Sequence, residues 1–252
     1  MAHVRTEKIR LDRLLVDRGL VDSREKAQGL ILAGQILVDE QKKEKCGALV
    51  DTRAALRLLG EAPKYVSRGG LKLEGALEHF RINPDTKVCL DVGASTGGFT
   101  DCLLQHGAGK VFAVDAGTNQ LDWKLRRDPR VVVMEKANAR YLTFDRIGTL
   151  AELVTVDVSF ISVTLILPAL VPLLAPRADL VVLVKPQFEV GKGQVGKGGI
   201  VRDPAQQQEA VAKVSRHLLE LGFSQLASME SPILGAEGNR EFFVHGVSKK
   251  SG

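Results

Sequence analysis

The sequence predicts an α/β chain: a mostly parallel, seven-stranded sheet wrapped by helices on both faces, preceded by a small α+β unit. Three observations carry this reading. Beyond residue 70, short apolar runs at 88–92, 110–115, 130–134, 153–157 and 180–184 alternate with amphipathic segments, followed by a helix from Ala205 and strands near Phe223 and Phe242. The first of these runs leads into a glycine-rich turn, D-V-G-A-S-T-G-G-F-T-D at 91–101, which opens a helix. The first sixty residues show helical spacing and hold 12 basic against 9 acidic groups, +3 of the chain's +5.

A chain of 252 residues, 44% hydrophobic and 26% charged, suits one large or two unequal domains and is too apolar for a disordered chain. Its longest apolar stretch, 163–175, is cut by Pro168 and Pro172 and falls short of the roughly 18 residues that a membrane span needs. The opening M-A-H-V-R-T-E-K-I-R-L-D-R has no apolar segment of the secretion type, so a cytoplasmic location is expected. Cys46, Cys89 and Cys102 show no C-x-x-C spacing, and buried, reduced thiols are expected. The five histidines are scattered, and no metal is expected.

Residues 1–60 read as helix, turn, helix, strand. Leu11, Leu14, Leu15 and the later Leu20 sit at helical spacings, an apolar stripe in a first helix that should stop at Gly19. Asp22 or Ser23 is placed to cap a second helix, in which Ala27, Leu30 and Ile31 face inward before Gly34 ends it. A short strand follows at 35–38. Arg10, Arg13, Arg18, Arg24 and Lys26 flank the stripe, so two short helices can present cations at the spacing of RNA phosphates. A solvated helical surface is the commoner origin of such an excess. The pattern R-L-D-R-L-L from Arg10 and S-R-E-K-A-Q-G-L-I-L-A-G-Q-I-L-V from Ser23 resembles the alpha-L RNA-binding motif of a small-subunit ribosomal protein. Asp39-Glu40-Gln41 departs from the Asn-Gly turn of that motif, which argues against RNA contact at this tip. Residues 61–70, with Pro63, Gly69 and Gly70, read as a linker, leaving 71–252 as the second domain.

In a sheet of this kind the ligand lies beyond the carboxyl ends of the strands. Candidate contacts in the turn are Asp91, Gly93, Ser95, Thr96, Gly97, Gly98 and Phe99. Asp115 ends the next run, 22 residues after Gly93, where a carboxylate can accept from both ribose hydroxyls. The turn lacks the second glycine of G-x-G-x-x-G, which counts against NAD; D-V-G-x-x-x-G-G suits a ligand free of phosphates, S-adenosyl-methionine. The segment G-K-G-Q-V-G-K-G at 191–198 approaches a P-loop, but Gly198 stands where a magnesium-binding hydroxyl is needed. A glycine-lysine lid is the simpler reading. Asn138, past the third run, can reach an adenine edge or serve a turn.

Asp157 ends the fourth run and Lys185 follows the fifth, so both should project at the rim of the glycine turn. A lysine there, short of water and beside a cationic cofactor, is disposed to act as general base, and a carboxylate can hold it in position. Lys72 and Glu241 complete a set Lys, Asp, Lys, Glu, although each residue singly is more commonly a surface ion pair. The loop D-V-S-F at 157–160 differs from the D/N-P-P-Y of amino-directed methylation, which favours a ribose hydroxyl as acceptor.

Together, Y-V-S-R-G-G-L-K-L at 65–73, the turn at 91–101, V-D-V-S-F-I-S from Val156, K-P-Q-F-E from Lys185 and G-N-R-E-F-F from Gly238 resemble the TlyA family over nearly the whole chain. The resemblance implies a Rossmann-like class I, FtsJ-like methyltransferase domain joined to an alpha-L domain. It implies S-adenosyl-methionine as cofactor and cytidine 2′-hydroxyls of ribosomal RNA, free or in ribosomal subunits, as acceptor. It also implies catalytic roles for Lys72, Asp157, Lys185 and Glu241, with Glu237 competing for the last. Arg68 is expected at the RNA or the cofactor, beside a glycine pair that suggests a hinge. Two rival functions stay open: an RNA-binding protein that keeps the fold without the chemistry, and a membrane-lytic protein, as the family's haemolysin label implies. No amphipathic or spanning segment favours the second.

Overall fold

The computed structural model describes residues 7–21, 23–59, 63–191, 193, 195–196, 198–235 and 238–249. The chain divides into two compact units, Met1–Pro63 and Lys64–Gly252.

The first unit runs β1 (Lys8–Arg10), α1 (Leu11–Asp17), α2 (Arg24–Leu32), β2 (Ile36–Val38), β3 (Gln41–Lys42), β4 (Leu49–Asp51) and β5 (Leu56–Leu58). Most of the expected stripe is its core: Leu11, Leu14, Leu15, Ala27 and Ile31 pack with Ile36 and Val38, Leu30 packs against them half-buried, and Leu20, past the end of α1, is exposed. Each fully buried aliphatic side chain contributes about 1.5–3 kcal/mol, so this cluster is what holds the helix pair on the strands. Ser23 caps α2, accepting from Lys26 N at 3.2 Å, an interaction of about 1 kcal/mol. Asp22, the alternative cap, lies outside the described residues. The tip of the β2–β3 hairpin, Asp39 and Glu40, takes φ of 49° and 62°, the left-handed pair that Asn-Gly adopts with less strain. Asp39 Oδ1 accepts from Ala55 N at 2.8 Å and Glu40 pairs with Arg57, so the acidic tip is engaged within its own unit.

The second unit comprises α3 (Gly69–Phe80), β6 (Val88–Val92), α4 (Gly98–Gln105), β7 (Lys110–Val114), α5 (Trp123–Arg126), β8 (Val131–Met134), α6 (Phe144–Ile147), β9 (Ala151–Val156), α7 (Leu167–Leu170), β10 (Leu174–Val184), α8 (Pro186–Glu189), α9 (Pro204–Glu220), β11 (Phe223–Glu230) and β12 (Phe242–Ser248). Its seven strands lie in the order β11-β12-β10-β9-β6-β7-β8. The five strands from β10 to β8 are parallel, and β12 runs antiparallel to both neighbours.

Alternate residues sort cleanly to the two faces. Leu90, Val92, Val154, Val156, Leu180, Val182 and Val184 enter one apolar layer; Cys89, Val111, Ala113, Leu153, Val181 and Leu183 enter the other. Continuous apolar runs are what a sheet covered on both faces requires. Burial pushes the Cys89 and Cys102 thiols up to about 12, as inert core residues.

Two boundaries differ from expectation. β10 begins at Leu174 rather than 180, because a register shift between Leu174 and Asp179, with left-handed Arg177, lets a stretch containing proline and charges still join the sheet. Gly69 and Gly70, expected in a linker, form the first turn of α3. Tyr65 just before them is buried, its hydroxyl donating to Glu74 Oε1 at 3.0 Å, so 65–70 is packed structure and not a hinge.

β6 pairs with β7 on one side and β9 on the other, so the strand order reverses there. The crevice at such a reversal, outside the carboxyl ends of the strands, is where open α/β sheets receive ligands.

Candidate active site

The turn from β6 to α4 forms the floor of this crevice. Gly93 has φ of 87° and lies so close to the end of β9 that a Cβ there would stand 2.1 Å from Asp157 O. Asp157 N donates to Val92 O at 2.8 Å, tying the two strand ends together. Asp91, expected at the ligand, is instead fully buried beneath the turn. It accepts from Thr100 Oγ1 at 2.6 Å and Thr155 Oγ1 at 3.0 Å, bracing α4 against the sheet. Burial pushes its carboxyl up to about 6, against the pull of the two hydroxyls. Gly97 is a second correction: it caps α4 with φ of 96° and packs on Leu121 and Leu125, away from the crevice.

Two cavities open above the floor. The larger, about 480 Å³, is walled by Val114, Asp115, Asn138, Phe160, Ile161 and Ile166 among others. The smaller, about 230 Å³, takes in Arg68, Lys72, Thr96, Gly98 and Phe99. Gly93, Ser95 and Asp157 line both. Asp115 accepts one backbone amide on each carboxylate oxygen, Ser95 N and Gly117 N, both at 2.7 Å, which aims its remaining lone pairs outward. Asn138 serves a turn: Oδ1 accepts from Arg140 N at 3.1 Å at the mouth of the larger cavity.

The four expected catalytic residues form two ion pairs. Lys72, in the second turn of α3, has Nζ 2.5 Å from Glu241 Oε2 at the start of β12. Lys185, after β10, has Nζ 2.5 Å from Asp157 Oδ1, after β9. β9 and β10 are neighbours with Val156 opposite Val182, so the sheet register brings the second pair together. Lys185 also donates to Ser159 Oγ at 2.9 Å and is 12% exposed. Lys72 and Asp157 face the smaller cavity, with Glu241 buried behind Lys72. Arg68 donates to Leu234 O at 3.0 Å at the same rim. Glu237, Lys192 and Lys197 lie outside the described residues. Asp157 and Ser159, which hold the Lys185 amine, line the crevice cavities, and a lysine between a carboxylate and a hydroxyl is placed to exchange a proton with a bound hydroxyl group.

Sequence reasoning passed over Ser159, Phe160, Gly235 and Asn239. Phe160 is 92% exposed with a left-handed φ of 67°, beside Phe188 at 5.3 Å between ring centroids. Asn239 bonds Gly199 O and Val201 N, fastening the glycine-rich segment to the loop before β12. Ser159, Phe160 and Asn239 sit inside the motifs quoted above, but what they touch depends on loop contacts that spacing does not show. Among the described residues no cluster of three or more His, Cys, Asp or Glu is placed to hold a metal. No described helix is long and apolar enough to cross a membrane.

In the first unit the expected RNA-facing cations have internal partners. Arg10 and Arg24 converge on buried Asp12 at 2.8 and 3.0 Å, and the bond from Arg10 holds the Asp12 carboxyl well below the usual range. Arg18 donates to Ala54 O and Thr52 O, and Arg13 pairs with Asp17 at 3.6 Å. The side chains of Arg10 and Arg24 remain 48% and 52% exposed, so each fixed guanidinium still has an open face.

A parallel sheet reversing at β6, a glycine turn without the G-x-G-x-x-G pattern and paired lysines and acids define a methyltransferase with an appended RNA-binding-type unit. The FtsJ-like methyltransferase model matches residues 65–247, and the S4 domain model matches 9–51. The chain is 49% identical over 238 residues to the Mycobacterium tuberculosis 16S/23S rRNA (cytidine-2′-O)-methyltransferase TlyA, covering 94% of this chain and 89% of that one. It is 42% identical to Hemolysin A of Brachyspira hyodysenteriae, covering 94% and 99%. A solved hemolysin-labelled structure from Streptococcus thermophilus superposes with a TM-score of 0.75 at 44% identity, covering 97% and 90%. The chain belongs to the TlyA family of FtsJ-like methyltransferases.

Proposed function

We propose that this protein transfers a methyl group from S-adenosyl-methionine to the 2′-hydroxyl of a cytidine in ribosomal RNA. The observation that carries the reading is the Lys185–Asp157 pair, whose Asp157 lines the same small cavity as Lys72, itself paired with Glu241. The M. tuberculosis relative, named for this reaction, supports the nucleotide and the acceptor atom.

The crevice residues fit the cofactor. Asp115, already steadied by two amides, presents acceptors for a ribose diol, and Val114, Ile161 and Ile166 offer apolar walls for an adenine. Lys72 at the smaller cavity is engaged by buried Glu241, so it is not set up as a phosphate clamp. When bound, S-adenosyl-methionine supplies a methyl carbon already made electrophilic by its sulfonium.

The chain's own residues then have two tasks. Lys185 accepts the proton of the ribose hydroxyl, with Asp157 and Ser159 fixing its direction. Lys72, held by Glu241, orients the sugar. Holding these groups in line supplies most of the acceleration. Exposed Phe160 offers a face on which an unstacked base can lie. The half-exposed arginines of the first unit, Arg10, Arg13, Arg18 and Arg24, with Lys26, and Arg68 of the second, contact RNA phosphates. Such a substrate puts the protein in the cytoplasm.

Mapping ribose methylation on ribosomal RNA incubated with purified protein and labelled cofactor tests the reading. Label at a cytidine 2′-oxygen supports it, and label on a base excludes it.

A further inference from the structure

Glu189 closes α8, four residues beyond Lys185, and its side chain is 2% exposed. Three donors from two other segments converge on its carboxylate. Ser162 Oγ donates to Oε2 at 2.6 Å, Val163 N to Oε1 at 2.7 Å, and Lys213 Nζ, from α9, to Oε2 at 3.1 Å. Lys213 Nζ also donates to Glu189 O at 2.8 Å and reaches Ser162 Oγ at 3.4 Å. A buried carboxylate with this many partners is seldom the most stabilising choice, since apolar residues of similar volume serve stability as well or better.

Its placement gives the cluster a different use. Residues 157–162 leave the end of β9 with Asp157 and Ser159, and residues 185–189 leave the end of β10 with Lys185. The strands join these loops at one end, where Val156 opposes Val182. Glu189 joins them at the other, through Ser162 and Val163. Between the two closures lie Asp157 and Ser159, each in contact with Lys185. Pro186 stiffens the second loop by fixing its backbone φ.

We propose that Glu189, locked by Lys213, is a positioning residue that sets the geometry of Lys185 against Asp157 and Ser159. This rests on the methyl-transfer reading above. Glu189 acts through Lys185 and lines neither crevice cavity. Its loss lowers turnover and leaves the polar hold on the cofactor in place, because Asp115 and Ser95 belong to other loops.

The test is steady-state methyl transfer to ribosomal RNA by the full chain carrying Glu189→Gln, Glu189→Ala, Lys213→Met or Lys213→Arg, with cofactor affinity measured by calorimetry. A misplacement of about 1 Å can cost roughly 100-fold in rate, so kcat should fall about 100-fold for Glu189→Ala and about 10-fold for Glu189→Gln and Lys213→Met. The cofactor Kd should stay within about threefold, and Lys213→Arg should recover most of kcat. Lys213 is 39% exposed, so Lys213→Met keeps the test alive if Glu189→Ala fails to fold. Unchanged kcat in a folded variant, or cofactor Kd worsening in step with a lower melting temperature, overturns the proposal. If the wild-type chain binds cofactor yet methylates no ribosomal RNA, the methyl-transfer reading fails instead. Amide exchange over residues 158–163 then judges the clamp itself: faster exchange in Glu189→Gln upholds it, and unchanged exchange overturns it.

Discussion

Lys185 Nζ lies 2.5 Å from Asp157 Oδ1, across the paired ends of β10 and β9. The sheet register sets this relationship: both strands stop within three residues of the opposed pair Val156 and Val182, and each then releases one charged side chain at the same rim. A helix-borne pair would need long side chains to meet; here two parallel strands already lie about 5 Å apart.

Gly235 tests the second ion pair. A Cβ at this position would stand 2.0 Å from Glu241 Oε1, the other oxygen of the carboxylate that holds Lys72. Gly235→Ala should displace Glu241 and lower kcat by about 10- to 100-fold while cofactor affinity holds. Methyl-transfer kinetics beside calorimetry read both quantities, and wild-type kcat would show that the Lys72–Glu241 pair is dispensable.

Asp115 should carry cofactor affinity rather than turnover. Asp115→Ala removes the acceptor for the ribose diol and also orphans Ser95 N and Gly117 N. Binding of S-adenosyl-methionine should weaken by about 2–4 kcal/mol, roughly 30- to 700-fold in Kd. A change under threefold by calorimetry would place the diol elsewhere.

Phe160 combines exposure with backbone strain, and the two can be separated. Its left-handed φ of 67° costs about 1 kcal/mol or more that glycine does not incur, and its exposed ring contributes little to packing. Phe160→Gly should leave the melting temperature equal or higher while raising KM for RNA about 5- to 100-fold, the range of one lost base stack. Thermal melts and RNA titrations decide it; a lower melting temperature with normal KM would make the ring structural.

Asp91 predicts a pH dependence of stability. Its carboxyl, pushed up to about 6 in the folded chain from 3.8 when unfolded, keeps its proton longer in the native state. Between those values the folded state binds more protons than the unfolded state, so this contribution is fully present below about pH 4 and is lost as pH rises through about 6. Asp91→Asn cannot titrate. Its stability relative to wild type should therefore improve by up to about 3 kcal/mol between pH 3.5 and 7. Urea unfolding at both pH values measures this, and a constant difference would mean that Asp91 titrates normally.

Much of the site was legible because strands announce themselves by apolar runs and because charged residues at strand ends have few places to go. Val88–Val92 is where the sequence put it, and Asp115, Asp157 and Lys185 stand one residue beyond strands already expected. The failures share a physical cause. Asp91 and Gly97 belong to the right turn, yet strand alternation sends one beneath it and the left-handed cap turns the other toward α5. Gly69 and Gly70 look like linker residues by composition, but the packing of Tyr65 before them carries helix into that segment. Glu189, Gly235 and Asn239 act through loops that meet only in three dimensions, so no spacing in the chain betrays them.

The central claim is that Lys185 takes the proton from a ribose hydroxyl. Single-turnover methyl transfer to ribosomal RNA by Lys185→Ala, at saturating S-adenosyl-methionine and with product mapped by mass spectrometry, tests it most directly. Loss of a positioned general base predicts a fall of about 100- to 10,000-fold with cofactor binding intact. Wild-type turnover, or methyl groups found on bases instead of 2′-oxygens, would contradict it.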